Sequence, residues 1–158
     1  MIAGGHGKIA LILEQLLSAR GDEVAGLIRN PAQAADLRAA GAEAVVLDLE
    51  QASVDEVAAA LRGADAVVFA AGAGPGSGAA RKQTVDRDAA ILLADAAEAA
   101  GVSRYVMVSA LAADDRSLDA NYDEVFLAYM RAKSEADADV RSPVRARTSA
   151  SASDFARM

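Results

Sequence analysis

Cysteine and tryptophan are absent from this chain, and aromatic residues make up 4% of it. Without cysteine there is no disulfide framework and no thiolate metal site. No stretch offers 18 strongly apolar residues, which excludes an ordinary membrane-spanning helix. The start lacks the basic flank and long apolar core of a signal peptide, so a soluble cytoplasmic protein is expected. Positive charge is scarce as well: the net charge is −7 and the pI 4.7. Such a surface repels nucleic acid and anionic membranes, and neither is expected as a partner.

What is present is the composition of one globular domain of 158 residues, 53% hydrophobic and 25% charged. Much of the apolar fraction is alanine, which buries little area, so the core must rest on clusters of Val, Leu and Ile. Charge is unevenly spread. Residues 141–158 hold four arginines and one aspartate, a net +3, which leaves −10 on the rest. That shift predicts a folded unit over 1–140 and a tail over 141–158. The tail "RSPVRARTSASASDFARM" is basic, rich in Ser and Ala and without strand pattern, the composition of a disordered segment.

Along 1–140, short apolar runs alternate with helical patterns. In "KIALILEQLLSARG", Ile9, Ile12, Leu13, Leu16 and Leu17 make a helical stripe, closed by Gly21. "EVAGLIR" reads as a buried strand. Asn30, Pro31 and Gly41 punctuate a second helix as N-cap, first residue and terminator. "AVVLD" reads as a strand, and Ser53 with Glu56 has capping-box spacing before a third helix. "ADAVVFAAG", a helix over 84–100 ended by Gly101, the strand "RYVMVS" and a last helix over roughly 122–139 complete the series. Strands that do not alternate inward and outward residues, each followed by a helix, imply a parallel sheet covered on both faces. Right-handed crossovers then give an α/β, doubly wound, Rossmann-like fold of three layers.

In the opening "MIAGGHGKIA", Gly4, Gly7 and Ala10 match G-x-x-G-x-x-G/A. Small residues there let the chain turn sharply out of a strand, bring backbone N–H groups to a diphosphate, and let helix pack closely on strand. Dinucleotide binding is the expectation. His6 reads either as a solvent-side loop residue or as a functional one, and Lys8 either as the first exposed helix position or as a phosphate contact. Where an NAD site places an acid at the end of the second strand, this chain has Arg29. A guanidinium would pair with a 2′-phosphate, so NADP(H) is favoured over NAD(H); the plainer reading is a surface arginine ending a strand. Asp48 reads equally as an adenine-side contact or a turn former, with Leu49 beside it. Ala70, Ala71 and Gly72 would give the cofactor a wall free of bulky side chains at the carboxyl edge of the sheet.

"YMRAK" puts Tyr129 and Lys133 four apart, on one helical face. A nearby ammonium favours phenolate and would lower the tyrosine's pKa. With Ser109 at the end of the fifth strand donating to a carbonyl oxygen, hydride transfer would have its acid/base and its oxyanion support. The spacing alone is weak; its position after the strand ending in Ser109 gives it weight.

Together, "IAGGHGKIA", "GLIRNP", "VVLDL", "VVFAAGAGPGSG", "VDRDAAILLADAAEAAGVSRYVMVSA" and "YMRAK" resemble the atypical short-chain dehydrogenase/reductases of the NAD(P)H-binding subgroup, over roughly residues 1–138. The resemblance implies a diphosphate on Gly4, Gly7, Lys8 and Ile9, with Arg29 and Asp48 at the ribose and adenine. It also implies a wall at Ala70 to Gly72 and chemistry at Ser109, Tyr129 and Lys133. His6 and Leu49 complete the candidate cofactor contacts. Members include reductases, epimerase-like enzymes and non-catalytic redox sensors, so an NADP(H)-dependent oxidoreductase of small carbonyls or alcohols is expected, with a dinucleotide-binding sensor as the alternative. Two departures stand out: "MIA" leaves a short first strand, and the family's last strands and substrate-binding part have no counterpart in the tail. An out-of-frame ending is an alternative account of that tail, one the coding DNA would test. Substrate and oligomeric state stay open.

Overall fold

The computed structural model describes residues 1–113 and 122–142; most of the predicted tail and part of the polar loop before the last helix lie outside them. Among the described residues there are five strands and six helices. In order these are β1 (Ile2–Ala3), α1 (Lys8–Arg20), β2 (Ala25–Ile28), α2 (Ala34–Ala39), β3 (Glu43–Val46), α3 (Val54–Leu61), β4 (Val67–Phe69), α4 (Ala79–Arg81), α5 (Ala89–Ala99), β5 (Tyr105–Met107) and α6 (Glu124–Val140). The strands run parallel in the order β3-β2-β1-β4-β5. The chain therefore winds outward from β1 in one direction, then returns past it and winds in the other. This is the doubly wound, Rossmann-like α/β fold, with its switch point between β1 and β4.

Local chemistry ends the elements where the sequence indicates. Asn30 accepts from Ala32 N at 3.0 Å in the 3₁₀ turn Pro31–Gln33 that leads into α2. Ser53 and Glu56 form the reciprocal capping box of α3. Gly21, Gly41 and Gly101 each take positive φ at a helix end, the conformation that glycine adopts at least cost. One helix departs from expectation. Instead of starting near residue 84, it begins at Ala79 and widens into a π-helical stretch, Lys82–Asp88, before α5. Such widened turns gather at functional sites.

Two cores lie on the two faces of the sheet. One packs Ala3, Leu27, Val67, Phe69 and Tyr105 against α3, α5 and α6, and the Tyr105 hydroxyl donates to Ala90 O at 2.8 Å. The other packs Ile2, Val24 and Ile28 against Ala10 of α1 and Leu37 of α2. Coverage of this second face is partial. Val68 and Val106, which pair across β4 and β5, remain half-buried, because α1 and α2 sit over the β1–β3 side. The predicted α1 stripe is corrected accordingly. Ile9, Ile12 and Leu16 are 56%, 58% and 64% exposed, and the buried line is Ala10, Glu14 and the flank of Leu17.

β1 is as short as expected and fully buried at the centre. Backbone bonds beyond its two residues hold it: Met1 N donates to Ala66 O and Val68 N to Met1 O, while Gly4 N and Gly5 N both donate to Leu27 O. No helix among the described residues is long and apolar enough to cross a membrane.

Candidate functional site

The glycine loop sits at the switch point. Gly4 has φ +77°, and a Cβ on it would lie 2.6 Å from the Ala71 Cα, so only glycine permits this approach between the loop and the end of β4. A Cβ on Gly7 would lie 3.1 Å from Gly4 O. Gly7 opens α1 with no side-chain cap, and the first turn carries no acid. No side chain caps the first N–H groups of α1, and the positive end of the helix dipole lies at Gly7, which borders the groove, an arrangement suited to an anion.

A groove of about 260 Å³ runs from this loop along the carboxyl edge of the sheet, lined by Gly4, His6, Gly7, Arg29, Asp48, Leu49 and Ala70 to Gly72, among others. Nine of the eleven residues expected at a cofactor thus border one groove. Lys8 and Ile9 are exposed and not among its lining residues. His6 Nε2 lies 2.8 Å from Asp36 Oδ2, which ties the loop to α2. Asp48 Oδ1 accepts from Glu50 N at 3.0 Å, the turn-forming role, while still bordering the groove. Arg29 is not solitary: its Nη1 approaches Glu50 Oε2 at 3.3 Å.

A second pocket, about 280 Å³, lies across the Ala70 to Gly72 wall and contains Ser109, Tyr129 and Lys133 together with Lys82 and Asp86. β5 delivers Ser109 and α6 delivers the other two, one helical turn apart. The expected trio is therefore gathered, yet each member has a partner of its own. Ser109 Oγ donates to Asp137 Oδ2 at 2.6 Å. Lys133 Nζ donates to Val108 O at 3.1 Å and pairs with Asp86 Oδ1 at 3.5 Å, with both side chains buried. Asp86 also accepts from Ala73 N at 3.2 Å. Lys82 Nζ lies 5.4 Å from the centre of the Tyr129 ring.

Tyrosine acidity departs from the expectation. The Tyr129 pKa is raised, not lowered: burial of the ring disfavours phenolate, and the Asp86 carboxylate adds to the effect. Lys133 cannot reverse this, since Asp86 offsets its charge. The ammonium's own pKa is lowered by burial, which its attraction to Asp86 only partly opposes.

Asp86, Asp137, Glu50, Arg81 and Glu14 escaped the sequence reading. Three of them left a trace there. Asp86 precedes Ala89, Ala90 and Leu93 by three, four and seven residues; Asp137 lies with Met130, Lys133 and Val140 on one stripe; Glu14 follows Ala10 by four. A charge on the apolar stripe of a helix is a signal for a buried ionisable group. Glu14 is the extreme case. It is fully buried under the glycine loop in the notch between Gly5 and Gly26, and neither carboxyl oxygen has a hydrogen-bond partner. Burial pushes its pKa up to about 7, with His6 acting in the opposite sense.

An uncapped helix start, a glycine held against the neighbouring strand and a groove at the switch point define a dinucleotide-binding α/β domain. The chain belongs to the NAD(P)H-binding family, whose model matches residues 4–148. It is 40% identical over 137 residues to an uncharacterized sugar epimerase, YhfK, of Bacillus subtilis, covering 86% of this chain and 62% of that protein. Among solved structures it is similar to a putative NAD-dependent epimerase/dehydratase from Bacillus halodurans, with 34% identity, a TM-score of 0.78, and coverage of 89% of this chain and 63% of that one. The oxidoreductase ylbE from Lactococcus lactis shares 25% identity and a TM-score of 0.72 over 90% of this chain and 64% of its own. The chain thus spans less than two thirds of the length of these relatives.

Proposed function

We propose that this chain binds NADP(H) in the groove and serves hydride transfer to a small carbonyl substrate in the adjoining pocket. The observation that carries this reading is the shared wall: Ala70, Ala71 and Gly72 border both the groove and the Ser109, Tyr129 and Lys133 pocket. A ligand lying along the first would present its end to the second. The residues fit the cofactor on their own geometry, since Gly4 lets the loop lie tight against the end of β4 beside the groove and no side chain caps α1. Bound there, the reduced nicotinamide would supply a hydride to the carbonyl carbon. Ser109 would orient the carbonyl oxygen, and the Tyr129 hydroxyl would give it the proton that completes the alcohol. The Tyr129 phenol, whose pKa is raised by burial, carries that proton at neutral pH. Lys133, paired with Asp86, would hold the pocket's charge balance. Arg29 would meet the 2′-phosphate.

The alternative, a dinucleotide-binding sensor without turnover, draws on a specific feature. The Ser109 proton is engaged by Asp137 and the Lys133 charge by Asp86, so the trio is not poised for chemistry as it stands. Purified wild-type and Tyr129→Phe proteins, titrated with NADPH and then offered a panel of small aldehydes and ketones, separate the readings. The oxidoreductase binds NADPH in both forms and turns over only with Tyr129. Binding without turnover in either form supports the sensor, and equal turnover in both removes Tyr129 from the chemistry.

A further inference from the structure

In the groove, two arginines converge on one carboxylate oxygen. Arg29, just past β2, approaches Glu50 Oε2 at 3.3 Å; Arg81, the last residue of α4, reaches the same atom at 2.7 Å. Thr84 donates to the other oxygen, Oε1, at 2.8 Å. All three charged residues border the groove. The Glu50 side chain is 19% exposed, against 55% for Arg29 and 34% for Arg81, so the carboxylate is the inner member and the guanidiniums face outward around it.

Two guanidiniums brought to a single oxygen from separate segments of the chain repel one another unless an anion lies between them. Glu50 is that anion here, and Arg81 holds its carboxyl below the usual range, so it stays charged at neutral pH. A phosphate monoester carries more charge than a carboxylate and takes guanidinium forks by the same geometry. It would therefore contend with Glu50 for both arginines.

We infer that Glu50 sets the preference for or against a 2′-phosphate, acting as an internal competitor for a two-arginine site formed by Arg29 and Arg81. This deepens the reading of the groove as an NADP(H) site and rests on it. In the native chain the carboxylate pre-places the arginines but weakens their hold on the 2′-phosphate. Arg81, which no strand-end pattern marks, is the second arm of the site. The effect is electrostatic and shrinks as salt rises, because these groups lie at the protein surface.

The test uses the full chain and two probes that differ only in the 2′-phosphate, 2′,5′-ADP and 5′-AMP, titrated calorimetrically at low salt. Glu50→Gln keeps the side chain's size and removes its charge. It should raise affinity for 2′,5′-ADP about tenfold, the equivalent of about 1.4 kcal/mol, while changing 5′-AMP affinity little. Arg81→Met should lower 2′,5′-ADP affinity by a comparable factor and again spare 5′-AMP. Melting curves of both variants establish that they are folded. If Glu50→Gln weakens both probes equally, or Arg81→Met leaves their ratio unchanged, Glu50 is only a structural tie between the β3 loop and α4, and the inference fails while the dinucleotide reading stands. If the wild-type chain binds neither these probes nor NADPH, both fail together.

Discussion

The Glu14 carboxyl lies between Gly5 and Gly26 with no hydrogen-bond partner, and its neutral form is favoured there because an ion would go unsolvated. Its pKa is raised from 4.5 to about 7, so the folded chain binds this proton more tightly than the unfolded chain does. The resulting stability is fully present below about pH 4.5 and is lost as pH rises through about 7. The full shift corresponds to about 3 kcal/mol; pH 5 already lies above the ordinary carboxyl value, so about 2 kcal/mol of it is expected between pH 5 and pH 8. Urea unfolding at pH 5 and pH 8 should therefore show the native chain losing that increment relative to Glu14→Gln, which has no proton to lose. Parallel pH dependence in the two proteins would mean that Glu14 is hydrated and ordinary. The glycines of this region differ in what brings them into place. Gly4 and Gly7 are legible as a loop motif, whereas the close passage of Gly5 against Gly26 depends on two segments that only the fold brings together.

Among the elements, α1 separates what periodicity can give from what it cannot. Its apolar residues occupy more than one side: Ile9, Ile12 and Leu16 on one, Ala10, Leu13 and Leu17 on another. Spacing reveals that a helix forms, but its rotation about its own axis depends on what it packs against. The buried line follows Ala10 because the small side chain lets the helix settle close to the sheet, beside Ile2 and Ile28. Ile12→Ala should consequently change stability by less than about 0.5 kcal/mol, whereas Leu37→Ala, at a fully buried position on α2, should cost about 2–5 kcal/mol. Chemical denaturation of the two variants checks this directly, and a large loss at Ile12 would mean that something covers this face. The other helices were easier to read because their ends are written locally, in Asn30 and Pro31 or in Ser53 and Glu56. The π-helical stretch had no such signature. Within it, Asp86 meets Lys133 and Thr84 meets Glu50, partners distant in sequence.

At the scale of the whole molecule, parallel topology was legible because buried strands read as continuous apolar runs, and the groove followed from topology, since the sheet's order reverses at β1. The ion pairs across that groove were not legible. Glu50 and Arg81 are 31 residues apart and meet only after α3 and β4 have intervened. β1 contributes two residues at the centre of five strands, paired with β2 on one side and β4 on the other, and the groove is bordered by the glycine loop, the ends of β2 and β4, the β3 loop and α4. A dinucleotide spanning them would bridge both halves of the sheet across its shortest strand. Ligand at 100 times its dissociation constant stabilises a folded chain by about 2.7 kcal/mol, and for a domain of this size that corresponds to a rise in melting temperature of about 5–10 °C. NADPH should produce such a rise, and at matched concentration a larger one than NADH if Arg29 and Arg81 engage the 2′-phosphate. Equal shifts would place the binding energy on the diphosphate cradle and leave the arginines neutralised by Glu50. No shift with either would mean that the Gly4 cradle and the open start of α1 do not suffice to hold the cofactor across so short a central strand.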